Sequence, residues 1–197
     1  IKALAYQLYE NNGVLKRDNV SEYLKKLDQN DRKILRDLGL KFGRYHVFLF
    51  KLIKPEPVSL RTLLWKNHNQ KYFNLQPPTF GLNFLNDDKI QNINFMLLCG
   101  FEKFNNFYIR IDILERLFVQ IINSDTNVKE IKMIPEMLNL LGCTKDNFKK
   151  LLRKMGYKII EKENETFFKY LPLKSSKKIF NKKVPKENPF GILKHLN

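Results

Sequence analysis

Apolar residues recur along this chain at helical spacing, and glycine and proline break the pattern into short segments. In residues 1–9, Ile1, Leu4, Ala5 and Leu8 mark one helical face, and Gly13 closes the segment. Tyr23, Leu24 and Leu27 mark a second short helix. Asn30 stands as N-cap of a third helix over 31–38, with Ile34, Leu35 and Leu38 as its buried stripe and Gly39 at its end. Residues 40–52 lose the helical period. Aromatic and β-branched residues crowd there, which predicts an extended apolar segment packed across the domain. Pro55 and Pro57 then open a helix over 58–67 that points Leu60, Leu63 and Leu64 inward. Trp65, the only tryptophan, reads as a core or interdomain anchor rather than a platform for a base.

The second half repeats the pattern more firmly. A helix over 87–98 carries Ile90, Ile93 and Leu97 on one side and stops at Gly100. Residues 101–104 and 107–111 predict a hairpin across Asn105-Asn106. Asp112 with Glu115 three residues on has the spacing of a capping box. Behind it, Ile113, Leu114, Leu117, Phe118, Ile121 and Ile122 form a wide apolar face. A short strand over 131–134, a helix over 136–141 ending at Gly142, a helix over 144–155, and a hairpin with Glu163-Asn164 at its tip complete the order. Helix, strand, helix, helix, strand, strand is the order of a winged helix-turn-helix. The predicted class is mainly α with small β elements (α+β). Residues 1–69 form a helical subdomain, 70–86 (with Pro77-Pro78) a linker, 87–173 the winged-helix-like domain, and 174–197 a basic, extended tail.

Charge changes what this order implies. The chain has 197 residues and a net charge of +16. An AT-rich genome also yields a Lys-, Asn-, Ile- and Phe-rich protein, but such a bias acts everywhere. Here residues 145–197 hold fifteen Lys or Arg against five acids. The helix over 144–155 buries Phe148, Leu151, Leu152 and Met155 on one face and turns Lys145, Lys149, Lys150, Arg153 and Lys154 to the others. Lys158 and Lys169 lie on the hairpin, and Lys177, Lys178, Lys182 and Lys183 on the tail, with Phe180 among them. A basic helix behind a tight turn, extended by a basic wing and tail, suits a phosphate backbone read with little sequence selectivity.

Candidate chemistry is sparse. Cys99 and Cys143 give neither a disulfide framework nor zinc spacing, and His46, His68 and His195 complete no ligand set. No phosphate-binding glycine loop, HExxH or GxSxG motif occurs, so no cofactor and no catalytic constellation is expected in this segment. Arg44 and His46 could touch a ligand or RNA, but the favoured reading is that they are surface residues flanking a buried run. No apolar run reaches membrane-spanning length, and no secretory signal opens the chain. A chain that opens on Ile1, already in a helical pattern, is expected to be a piece of a longer or processed protein.

Several stretches carry a family likeness: Leu38-Gly39-Leu40-Lys41-Phe42-Gly43-Arg44-Tyr45-His46-Val47-Phe48-Leu49, Leu52-Ile53-Lys54-Pro55, Leu60-Arg61-Thr62-Leu63-Leu64-Trp65, Asp112-Ile113-Leu114-Glu115-Arg116-Leu117, Leu140-Leu141-Gly142-Cys143 and Asn188-Pro189-Phe190. Together they resemble the C-terminal region of alphaproteobacterial superfamily-two helicases related to the mitochondrial degradosome RNA helicase. Members of that family keep their ATP site in an N-terminal core of two RecA-like domains, and none of its motifs lies here. The resemblance implies a non-catalytic accessory region of an ATP-dependent RNA or DNA helicase. Its partners would be RNA or DNA and the helicase core of the same polypeptide, with no membrane. The implied compartment is the bacterial cytoplasm, with the mitochondrial matrix second. The alternative is a protein-docking module whose lysines are simply solvated.

Overall fold

The computed structural model describes residues 1–86, 92–124, 130–162 and 165–170. Within them the chain is a mixture of helices and small antiparallel sheets, an α+β fold. The first unit runs α1 (Lys2–Glu10), β1 (Val14–Lys16), a 3-10 turn (Arg17–Val20), α2 (Ser21–Lys25), α3 (Gln29–Asp37), β2 (Leu40–Phe42) and β3 (His46–Leu49). The second runs α4 (Pro55–His68), β4 (Phe84–Asn86), α5 (Ile93–Leu98), β5 (Phe101–Phe104) and β6 (Phe107–Arg110). The third runs α6 (Ile111–Ser124), β7 (Ile131–Lys132), α7 (Pro135–Leu141), α8 (Lys145–Lys154), β8 (Tyr157–Lys162) and β9 (Glu165–Tyr170).

The three units share one plan. Each opens on a helix and ends on a hairpin whose second strand pairs with the unit's first strand, giving sheet orders β1-β3-β2, β4-β6-β5 and β7-β9-β8. Before each hairpin stands a left-handed glycine, Gly39, Gly100 or Gly156, at φ 92°, 85° and 85°. Without a Cβ, glycine turns the chain from helix into strand there at no steric cost. Residues 70–86, predicted as a linker, hold a 3-10 turn (Gln70–Tyr72) and strand β4, which lies against β6. Residues 40–52 form the β2–β3 hairpin instead of one extended run, followed by a 3-10 turn (Phe50–Ile53) that leads into α4.

Each unit has its own core, and the cores touch. Leu4, Leu15, Leu24, Leu35, Leu40 and Val47 fill the first. Val58, Phe95, Met96, Phe101 and Tyr108 fill the second. In the third, Leu114, Leu117, Phe118, Leu141, Phe148, Leu151, Leu152 and Phe168 pack with Phe104, Phe107 and Ile109 from the middle sheet. Pleating explains the sharing. Tyr108 faces one side of β6 while Phe107 and Ile109 face the other, so the middle sheet is buried on both faces. Val14, Phe48, Ile53 and Ile111 join the first unit to the other two.

Several predicted faces are turned. In α3, Leu35 is buried but Ile34 and Leu38 are exposed. Arg32 takes the inward position, donating to the Leu24 carbonyl at 2.6 Å and lying over the Phe42 ring with Arg36. The α3 N-cap is Asp28, whose carboxylate accepts from the Asp31 amide at 2.7 Å, rather than Asn30. In α4, Leu60, Leu63 and Leu64 are exposed, while Val58, Arg61, Thr62 and Trp65 face inward. Arg61 donates to the carbonyls of Leu52 and Asn12. An inward arginine stem with its head on backbone carbonyls displaces the leucines from the face that simple hydrophobicity favours. Ile122 of α6 is also exposed. Strand β7 is Ile131–Lys132, shorter than 131–134. The first residues of the predicted 87–98 helix lie outside the described residues, and α5 starts at Ile93 with Asn92 as its cap.

Candidate nucleic-acid interface

Helix α8 forms where its sequence places it. Thr144 caps it, accepting from the Asn147 amide at 3.4 Å, and Arg153 and Lys154 in the last turn face the negative end of the helix dipole. Phe148, Leu151 and Leu152 are fully buried. The opposite faces expose Lys145, Lys150, Arg153 and Lys154. Lys149 is set apart: its side chain is 18% exposed and its ammonium is bonded to Glu161 of β8 at 2.5 Å. That bond holds the Glu161 carboxyl below the ordinary carboxylate range. Two acids therefore lie inside the basic face, Glu161 and the exposed Asp146 of the first turn.

The hairpin continues the basic surface. Lys158 of β8 stands directly opposite Lys169 of β9, on the face away from Tyr157, Ile159 and Phe168. Lys132 and Lys162 reach the outer sheet as well, but Glu165 and Glu130 neutralise them. Among the described residues, Lys145, Lys150, Arg153, Lys154, Lys158 and Lys169 form no ion pair. Lys177, Lys178, Lys182 and Lys183, and the hairpin tip Glu163-Asn164, lie outside the described residues.

A second feature lies where the three units meet. The Glu115 carboxylate of α6 accepts from the backbone amides of Arg44 (2.5 Å), Tyr45 (2.9 Å) and His46 (2.8 Å) in the β2–β3 turn. It therefore does not close a capping box with Asp112. Asp112 instead takes a bidentate pair from Arg110, at 2.7 and 2.8 Å. Gly43 makes room for the Glu115 carboxylate, since a Cβ there would come within 2.3 Å of it. His46, read from sequence as a surface residue, is 3% exposed. Its ring nitrogens lie 3.2 Å from Glu115 and 3.4 Å from Glu102, and Lys16 reaches Glu102 at 2.6 Å. Burial alone would depress the His46 pKa, but the hydrogen bonds to Glu102 and Glu115 outweigh it and raise the value above 6.5. Glu102 is held low despite its burial, through the same bond and Lys16. Local sequence carries no signal for this cluster, because its members lie dozens of residues apart.

Arg44 itself is exposed. Its guanidinium carbon sits 5.6 Å from the Tyr45 ring centre and 5.2 Å from that of Tyr170. Trp65 packs on Phe95 and Tyr72, as an anchor of the middle core. The two thiols are unreactive at neutral pH: burial pushes Cys99 up to about 12 and Cys143 up to about 11. Among the described residues, no group of three or more His, Cys, Asp or Glu side chains could hold a metal ion, and no helix is long and apolar enough to cross a membrane. Compared with known proteins, the chain matches no family model, no curated protein and no solved structure.

Proposed function

We propose that this chain is a non-catalytic nucleic-acid-binding region that grips a phosphate backbone, in the setting its sequence resembles: the accessory part of an ATP-dependent helicase. The carrying observation is the set of unpaired cations on α8 and the β8–β9 hairpin. Lys158 opposite Lys169 is a repulsive cross-strand pair in an isolated protein. A polyanion laid across the hairpin turns that repulsion into attraction. Strand order and helix order in the third unit fit a winged helix, with α8 in the position of the helix that meets nucleic acid and β8–β9 as the wing. The other two units share with the third a leading helix and a closing hairpin on a three-stranded sheet. Lysines, which meet phosphates as point charges, outnumber the one arginine of the basic face, so binding is expected to tolerate sequence.

Salt decides the matter. Affinity for RNA or DNA should fall about 10²-fold between about 50 and 200 mM salt, as four or so phosphate contacts require. Lys150→Glu with Arg153→Glu should weaken binding at least tenfold and leave the melting temperature unchanged. No binding at low salt, or a lowered melting temperature with unchanged affinity, would sink the reading.

A protein-docking role has one specific observation behind it. Leu60, Leu63 and Leu64 lie exposed along one face of α4. Three adjacent leucines are more than the scattered apolar residues normal on a surface.

A further inference from the structure

The junction of the three units is itself a cleft, with a volume of about 1070 Å³. The first and third units contribute cations to its lining, Lys16, Arg17 and Arg44 from the first and Lys154 from the third, and the second contributes Glu102, which pairs with Lys16. The acids that share the cleft are engaged. Glu102 faces Lys16 and His46, and Glu115 faces three backbone amides and His46, leaving Asp18. Aromatic rings line the wall beside Arg44. Tyr170 lies 5.2 Å from Tyr157, Tyr157 stacks toward Phe118, and Phe118 meets Tyr45 edge-on at 4.5 Å. The outermost ring, Tyr170, is exposed, with the Arg44 guanidinium beside it.

From this placement we infer that the cleft is a binding site for single-stranded nucleic acid, with Tyr170 and Arg44 stacking unpaired bases and Arg17 and Lys154 holding phosphates. The inference rests on the nucleic-acid reading above and narrows it to a substrate class. Aromatic faces next to cations in a recessed groove suit unpaired bases, whose rings are open to stacking. Paired bases present only their edges. A duplex is therefore left to the outer face of α8 and the wing. Lys154 belongs to both surfaces: it ends the α8 basic face and lines the cleft. A strand leaving a duplex on α8 would enter the cleft there.

The test uses the whole chain and two probes, a fluorescein-labelled oligouridine of about a dozen nucleotides and a duplex of the same length, read by fluorescence anisotropy at low salt. Arg44→Glu and Tyr170→Ala should each weaken the oligouridine about tenfold, at the scale of one lost stacked base, and leave the duplex within twofold. Tyr170→Phe keeps the ring and should restore single-strand binding, which separates stacking from a change in fold. In parallel, an oligouridine carrying 4-thiouridine should crosslink under ultraviolet light to Tyr170 or Tyr45. Wild-type binding to both probes with every cleft variant unaffected, or crosslinks confined to α8, would overturn the cleft while leaving the broader function standing. Failure of the wild-type chain to bind either probe overturns both, as does binding of an acidic peptide in place of them.

Discussion

Glu115 supplies the buried polar link between the first unit and the third, beside the apolar contacts of Ile111 and Phe118. It satisfies three backbone donors and one face of a buried histidine across about seventy residues of chain. Glu115→Ala leaves those donors without their acceptor and should cost about 3 kcal/mol, read by chemical denaturation. Gly43→Ala should act in the same direction by displacing the carboxylate. His46 adds a pH dependence. Its folded pKa is raised, so its contribution is complete below about 6.5 and is lost as pH rises through the folded value. Glu102 is lowered, so its contribution is present above about 4.5 and is lost as pH falls through its folded value. The melting temperature should therefore be highest between those limits and decline on the alkaline side. His46→Gln should flatten the alkaline limb; an unchanged limb would place the titrating group elsewhere. Tyr108 offers a contrast, because its buried hydroxyl has no hydrogen-bond partner among the described residues. Tyr108→Phe should be neutral or stabilising by about 1 kcal/mol.

At the scale of elements, α7, α8 and both later hairpins were legible because period, cap and turn residues agree. Pro135 sits in the first turn of α7, Gly142 follows it in a left-handed conformation, and Thr144 caps α8. Helices α3 and α4 were not legible. Helix α4 carries apolar residues on all sides, and in both helices the buried face includes an arginine, Arg32 or Arg61, whose acceptors lie on other elements. Substituting Leu60 and Leu64 of α4 with serine should change stability by less than about 0.5 kcal/mol, as at exposed sites, whereas Val58→Ala should cost about 2 kcal/mol. Equal losses at both faces, measured in urea, would show that the leucines are the buried side after all. The basic surface divides in the same way. Lys145, Lys150, Arg153 and Lys154 are outward, as their helical spacing predicts, but Lys149 is diverted to Glu161 by a strand partner that spacing cannot reveal.

At the scale of the molecule, the repeated plan hides in the sequence because so little of it repeats. A glycine before each hairpin, an apolar residue after it and a charged one next are all that Gly39-Leu40-Lys41-Phe42, Gly100-Phe101-Glu102-Lys103 and Gly156-Tyr157-Lys158-Ile159 share. In the middle unit, Pro77-Pro78 reads as a spacer although the strand that follows it is part of the sheet. Shared cores imply shared fate. Phe104, Phe107 and Ile109 serve the third unit from the second, so these two should not melt apart. Fluorescence of Trp65, in the second unit, and far-ultraviolet circular dichroism should give coincident transitions. Two separated transitions would mean that the units are beads on a string.

No residue intervenes between β6, which ends at Arg110, and α6, which begins at Ile111. A joint without slack works as a crankshaft rather than a tether. Twisting the middle sheet must swing α6, and with it Glu115. Since Glu115 also holds the turn at residues 44–46, the three units close a mechanical loop in which no unit can rotate alone. A pull delivered at either end would be shared around that loop.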